Sequence, residues 1–295
     1  MRLKPIFDTN IFGDVQRGLI SASDWRFLVR HSPRHGWPLS DITAWELLVG
    51  VNVVKPSDFP NVRQRIGLAY DLSKGRVLED PRFLMCRELL RIPPPTWPRP
   101  LATSMELDVI RRADSLKQLI SRAVPYKGKL IGLISPTSYL NEATAYKQKW
   151  LAQARGMATA FYPGWEDLFQ KTGKRLPLEL RKEYEQRTYW ERNRVAFSTG
   201  MLRLIGAPTT PELVAEFSTR LDAAIEFSIF VVRQFMFHNY SIDKHLSDAF
   251  DQLQLFYLAL DRFIIVSSDP DILLRTQQSQ QAARIMSFDK FLQTL

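Results

Sequence analysis

The sequence predicts an α/β protein: a three-layer sandwich with a central, mainly parallel sheet, and an all-α block inserted into it. Three observations carry this. Short apolar runs alternate with helix-spaced patterns over residues 1–92. The same alternation returns over residues 245–295. Between them, residues 93–244 show helical periodicity and no strand alternation. The two end pieces are therefore expected to form one sheet, with the helical block as an insertion or subdomain.

Taken in order, residues 3–7 form a first apolar strand, and residues 14–30 follow as a helix with Val15, Leu19, Ile20, Phe27 and Leu28 inward. The loop from His31 to Gly36 leads to a short second strand, Trp37 to Ser40. A helix from Asp41 to Val51 repeats Ile42, Trp45, Leu48 and Val49 at helical spacing. Residues 55–92 read as mostly helical, with Val77-Leu78 as a candidate edge strand. Five prolines in the nine residues Ile92 to Pro100 make a stiff connector and a boundary.

Beyond it, helices are expected over 104–124 (capped by Ser104), 139–159 and 177–197. A fourth starts at Thr210-Pro211, an N-cap and first-turn pair, and carries an apolar stripe from Leu213 to Met236 that reads as internal packing. Then come a helix over 245–259, a buried strand Phe263 to Ser267, a helix over 271–281, a last strand Arg284 to Ser287, and the closing stretch to Leu295.

Composition sets bounds. The 295 residues are 45% apolar and 24% charged, enough for a substantial core. The single cysteine, Cys86, excludes an intrachain disulfide framework, and four scattered histidines give no zinc pattern. No signal-like or membrane-length apolar segment is evident, so a cytoplasmic protein without a membrane partner is expected. A formal charge of +9 tilts the partner toward a polyanion.

The chemistry sits in carboxylates. In a parallel α/β sheet, functional groups collect at the C-terminal strand ends. Asp8 follows the first strand and Asp269 the 263–267 strand; Glu46 and Asp251 lie on helices that start near that edge. Alone, Asp8 reads equally as a helix cap or as a site residue, and Asp248 and Asp271 read as caps, Asp271 also as an extra ligand. Four converging carboxylates without matching cations repel one another. Oxygen-only ligands then suit Mg²⁺ or Mn²⁺, and the chemistry this predicts is phosphodiester hydrolysis by metal-activated water.

These residues carry a family resemblance. Phe7-Asp8-Thr9-Asn10 resembles the opening motif of PIN-domain nucleases, as in bacterial toxin–antitoxin toxins. Ser40 to Gly50, with Thr43 and Glu46-Leu47, is similar to that family's second block. Asp251 to Ala259, the strand to Ser267, and Asp269 resemble its third; Ile285 to Leu292 resembles its closing strand and Phe-Leu. Ser267 stands where threonine is commoner in the family. The resemblance implies a PIN-like sandwich with metal-binding roles for Asp8, Glu46, Asp251 and Asp269. Asn10, Ser40, Thr43, Ser267 and Asp271 would support them. It implies an endoribonuclease, with a small antitoxin or a second copy of the chain as further partners.

Single-stranded or structured RNA is the expected substrate. Lys171, Lys174, Arg175, Arg181, Lys182, Arg187, Arg192 and Arg194, interleaved with Tyr184, Tyr189 and Trp190, offer phosphate pairing and base stacking. The same stretch also reads as a solvated helix with internal ion pairs. Lys147, Lys149 and Arg155 extend this basic surface. Two other functions compete: a non-catalytic nucleic-acid or protein interaction module that keeps the acids, and a DNA-directed nuclease.

Overall fold

The computed structural model describes residues 3–93, 100–119, 136–172, 187–238 and 247–295, with Leu180, Lys182, Tyr240 and His245 between them. It is a mixed α/β fold in which a small parallel sheet is flanked by many helices. The strands are β1 (Lys4–Phe7), β2 (Phe263–Ser267) and β3 (Ile285–Ser287), in the order β1-β2-β3. The register pairs Lys4 with Phe263, Phe7 with Val266, and Ser267 with Ser287. The chain's first strand is thus completed by its last fifty residues.

The sheet is buried except at Lys4 and in part at Ser287, because its strands carry apolar side chains on both faces. Ile6, Phe263, Ile265 and Ile285 point into one core. Phe7, Ile264, Val266 and Met286 point into the other. This period of two divides the strands' side chains between two hydrophobic clusters. The second core is filled from α1 (Thr9–Arg17), α2 (Ala22–His31), α3 (Asp41–Val53), α4 (Phe59–Ser73) and, after a short α5 (Pro81–Met85) whose Leu84 and Met85 enter the first core, α6 (Pro100–Arg111). The first is filled largely from α7 (Pro136–Phe161), α8 (Trp165–Thr172), α9 (Arg187–Leu204), α10 (Pro211–Arg220), α11 (Asp222–Phe237) and α12 (Asp248–Leu255). Two short helices, α13 (Pro270–Thr276) and α14 (Phe288–Leu292), follow β2 and β3.

Several expectations need correction. The helix expected over 14–30 is two helices, because Gly18 takes a left-handed φ of 75° and Ser21 caps a new start through the Asp24 amide. The second strand is reduced to one parallel bridge, Leu39 to Val77. Gly36 forces that geometry: at φ 70° an added Cβ would lie 2.6 Å from the Leu72 carbonyl oxygen, so the chain passes too close there for any other residue. Ser104 is no cap; it sits inside α6 and its hydroxyl donates to the Gly75 carbonyl. The 210–236 stripe is broken at Leu221 into α10 and α11, and α11 is buried on nearly every side. The proline-rich connector at 94–99, most of 173–186, and the end of the expected 104–124 helix lie outside the described residues.

Candidate active site

The C-terminal edge of the sheet holds the acids. The Asp8 amide donates to Val266 O at 2.9 Å, extending the β1–β2 ladder by one residue. Its carboxylate caps α1, accepting from the Thr9 amide at 2.7 Å, from Asn10 Nδ2 at 3.1 Å and from the Ser267 hydroxyl at 2.7 Å. Cap and site residue therefore coincide in one side chain. Asp269, two residues past β2, caps α13 through the Asp271 amide at 2.8 Å, and its own amide donates to Ser267 Oγ at 3.0 Å. Asn10 Nδ2 also reaches Asp269 Oδ2 at 3.4 Å, so one amide spans both acids.

The other two acids arrive on helices. Ser40 caps α3 through the Thr43 amide, and the Thr43 hydroxyl donates to Phe7 O at 2.9 Å. That bond pins the start of α3 to the end of β1, and Glu46 follows one turn later. The Thr9 hydroxyl donates to Glu46 Oε2. Asp251 sits in the first turn of α12.

Electrostatics tie the four together. Burial, and after it the charge of Asp269, push the Asp8 carboxyl up to about 6, against the hydrogen bond from Ser267. Burial and the charge of Asp8 push Glu46 up to about 8, against Thr9 and Lys147. Asp251 is held well above the ordinary carboxylate range by burial and by the charges of Asp8, Glu46, Asp248 and Asp269. Lys147 is the cation that the helical block contributes; its ammonium lies 4.9 Å from the Phe250 ring centroid. Sequence reasoning placed it only on a broad basic surface, because nothing local announces that α7 reaches this edge.

The donor set is oxygen-only, which suits a hard divalent ion. Among the described residues, no three His, Cys, Asp or Glu side chains are spaced to hold a metal ion. Asp8 is held by three donors, and Glu46 accepts from Thr9.

The remaining candidates divide. Asp271 is exposed and pairs with Arg275 at 2.8 Å, away from the acids. Asp248 is not a cap: it is buried against Arg275 at 2.6 Å and accepts from the Tyr240 hydroxyl. Lys171, Lys182 and Arg192 are exposed. Arg194 is taken up by Asp222 and Glu226. Arg187 begins α9, and Lys174, Arg175 and Arg181 lie outside the described residues.

Fold and site together define a mixed α/β protein with a carboxylate cluster at the C-terminal edge of a parallel sheet. No protein-family model, curated protein or solved structure matches the chain.

Proposed function

We propose that this chain is a PIN-like, Mg²⁺- or Mn²⁺-dependent endoribonuclease. The observation that carries the reading is the mutual repulsion of Asp8, Glu46, Asp251 and Asp269 at one sheet edge, opposed in part by the charge of Lys147. Such repulsion is relieved either by protons or by a divalent cation. Asp8 and Asp269 would hold the ion directly, with Glu46 and Asp251 completing the set. A bound ion of this kind supplies an acidified water and charge stabilisation for phosphodiester hydrolysis.

The protein's own groups do the rest. Ser267 and Asn10 fix the Asp8 carboxylate, and Thr9 holds Glu46 until it is needed. Burial raises both Glu46 and Asp251; in its ionised form, once a cation is bound, either would orient the attacking water and accept its proton. Lys147 offers a charge to the scissile phosphate. The +9 balance favours a polyanionic substrate.

The test is cleavage of labelled single-stranded RNA with Mn²⁺, with and without EDTA, beside a matched DNA. Metal-dependent RNA cleavage that disappears in the Asp8→Asn/Asp269→Asn double variant is the expected result. Cleavage surviving in that variant removes the site; preferential DNA cleavage reassigns the substrate. Absence of cleavage on either strand, with RNA still bound, favours the interaction module.

A further inference from the structure

A second site lies beside the acids. Helices α7 and α9 both rest on α11, and the space between them is a cavity of about 960 Å³. That volume is at the upper end for small-ligand pockets. Its walls are aromatic: Trp45, Tyr146, Trp150, Phe197 and Phe256. Trp45 and Tyr146 stand 6.1 Å apart, centroid to centroid.

Two features separate this cavity from loose packing. Gly156 on α7 and Gly200 on α9 line it, and a Cβ built on either meets nothing within 4 Å. Glycine inside a helix is unfavourable relative to alanine; here it leaves space on both walls. The second feature is Asp41, whose carboxyl lines the cavity and makes no hydrogen bond to any described residue. Its neighbour Asp80 is saturated by Arg82, in two hydrogen bonds of 3.0 and 2.7 Å. Half-buried beside Asp80 and Arg82, the Asp41 carboxyl keeps acceptor capacity that a donor from a ligand in the cavity can use. Lys149, exposed, completes the lining with a cation.

We infer that this cavity binds a purine base of the nucleic-acid substrate, stacked on Trp45 and Tyr146, with its exocyclic amino group donating to Asp41 and its phosphate near Lys149. Purines offer the larger π-face for stacking. The neighbouring site supports the choice. Trp45 precedes Glu46, Tyr146 precedes Lys147 and Gln252 follows Asp251, so three elements line the cavity with one residue and face the acids with the next. A base seated here leaves its phosphodiester beside the carboxylates. The identity of the ligand rests on the nuclease reading; the existence of the pocket does not.

The experiment is a titration of the full chain in EDTA with AMP, GMP and UMP, read by tryptophan fluorescence. AMP and GMP are expected to quench, with UMP at least tenfold weaker. Asp41→Ala and the cavity-filling Gly200→Leu are each expected to weaken AMP at least tenfold, with an unchanged circular-dichroism spectrum. No quenching by any nucleotide, UMP binding as tightly as AMP, or unchanged AMP affinity in both variants overturns the inference. Because EDTA silences any metal-dependent cleavage, the two readings fail separately. AMP binding without RNA cleavage removes only the nuclease; cleavage without AMP binding removes only the pocket.

Discussion

At the scale of single residues, burying the acids at the sheet edge costs stability as pH rises. A carboxyl whose pKa is raised by folding keeps a proton that the unfolded chain releases. Stability is then lost as pH rises from the unfolded pKa toward the folded one. Glu46 and Asp41, both pushed up to about 8, place that loss between roughly pH 4 and pH 8 when no divalent ion is present. Asp41→Asn should therefore raise the melting temperature at pH 8.5 and leave it unchanged at pH 4, as followed by thermal denaturation in EDTA. Glu46→Gln should behave alike while abolishing metal-dependent cleavage. A gain at pH 4 as large as that at pH 8.5 would contradict the origin assigned to these shifts. Asp8 and Asp269 were legible in the sequence because each follows a β-rich apolar run and caps the next helix. Lys147 and Asp41 were not, because their roles come from α7 and from the Asp80–Arg82 pair, both distant in sequence.

At the scale of elements, the placement of α3 decides the geometry, since it carries Glu46 on one side and Trp45 on the other. It is held by the Thr43 hydroxyl on Phe7 O and by Tyr257, whose hydroxyl accepts from the Asp41 amide and donates to Glu79 O at 2.9 Å. Thr43→Val leaves a buried carbonyl without its donor. It should destabilise by about 1–3 kcal/mol in urea denaturation and lower cleavage by more than its effect on stability accounts for. Gly36→Ala should destabilise as well, because its Cβ meets backbone rather than a yielding side chain. The strands of the sheet were readable from apolar runs. Residues 37–40 were read as a short strand, whereas Pro38 has no amide hydrogen to donate and the pairing is a single bridge, Leu39 to Val77. The break between α1 and α2 was signalled by Gly18 and by Ser21 with Asp24, but periodicity ran across it.

At the scale of the whole molecule, the helical block and the sheet share one hydrophobic core, in which Ile6, Ile265, Phe227 and Val232 belong to the same cluster. The block is also tied internally by charge. Arg194 on α9 pairs with Asp222 and Glu226 on α11, both buried, and the Gln280 amide meets Asp222 at 2.5 Å. Removing the guanidinium strands two carboxylates in the interior, so Arg194→Met should cost about 3–5 kcal/mol in chemical denaturation. The same variant should leave RNA affinity per folded molecule unchanged, because Arg194 faces inward. A drop in RNA affinity without a loss of stability would return Arg194 to the basic surface read from the sequence. The cavity between α7 and α9 was invisible in the sequence for a related reason. It is defined by the space between α7 and α9, and Gly156 and Gly200 gain meaning only when both line it.

The central claim is that four carboxylates at one sheet edge share a divalent cation. Isothermal titration of Mn²⁺ into the wild type and the Asp8→Asn/Asp269→Asn variant, at pH 6 and pH 8, tests it directly. Binding by the wild type is expected, tighter at pH 8 because Asp8 and Glu46 must give up protons first, with loss of at least a hundredfold in affinity in the variant. Equal binding by both proteins, or none by the wild type at pH 8, would contradict it.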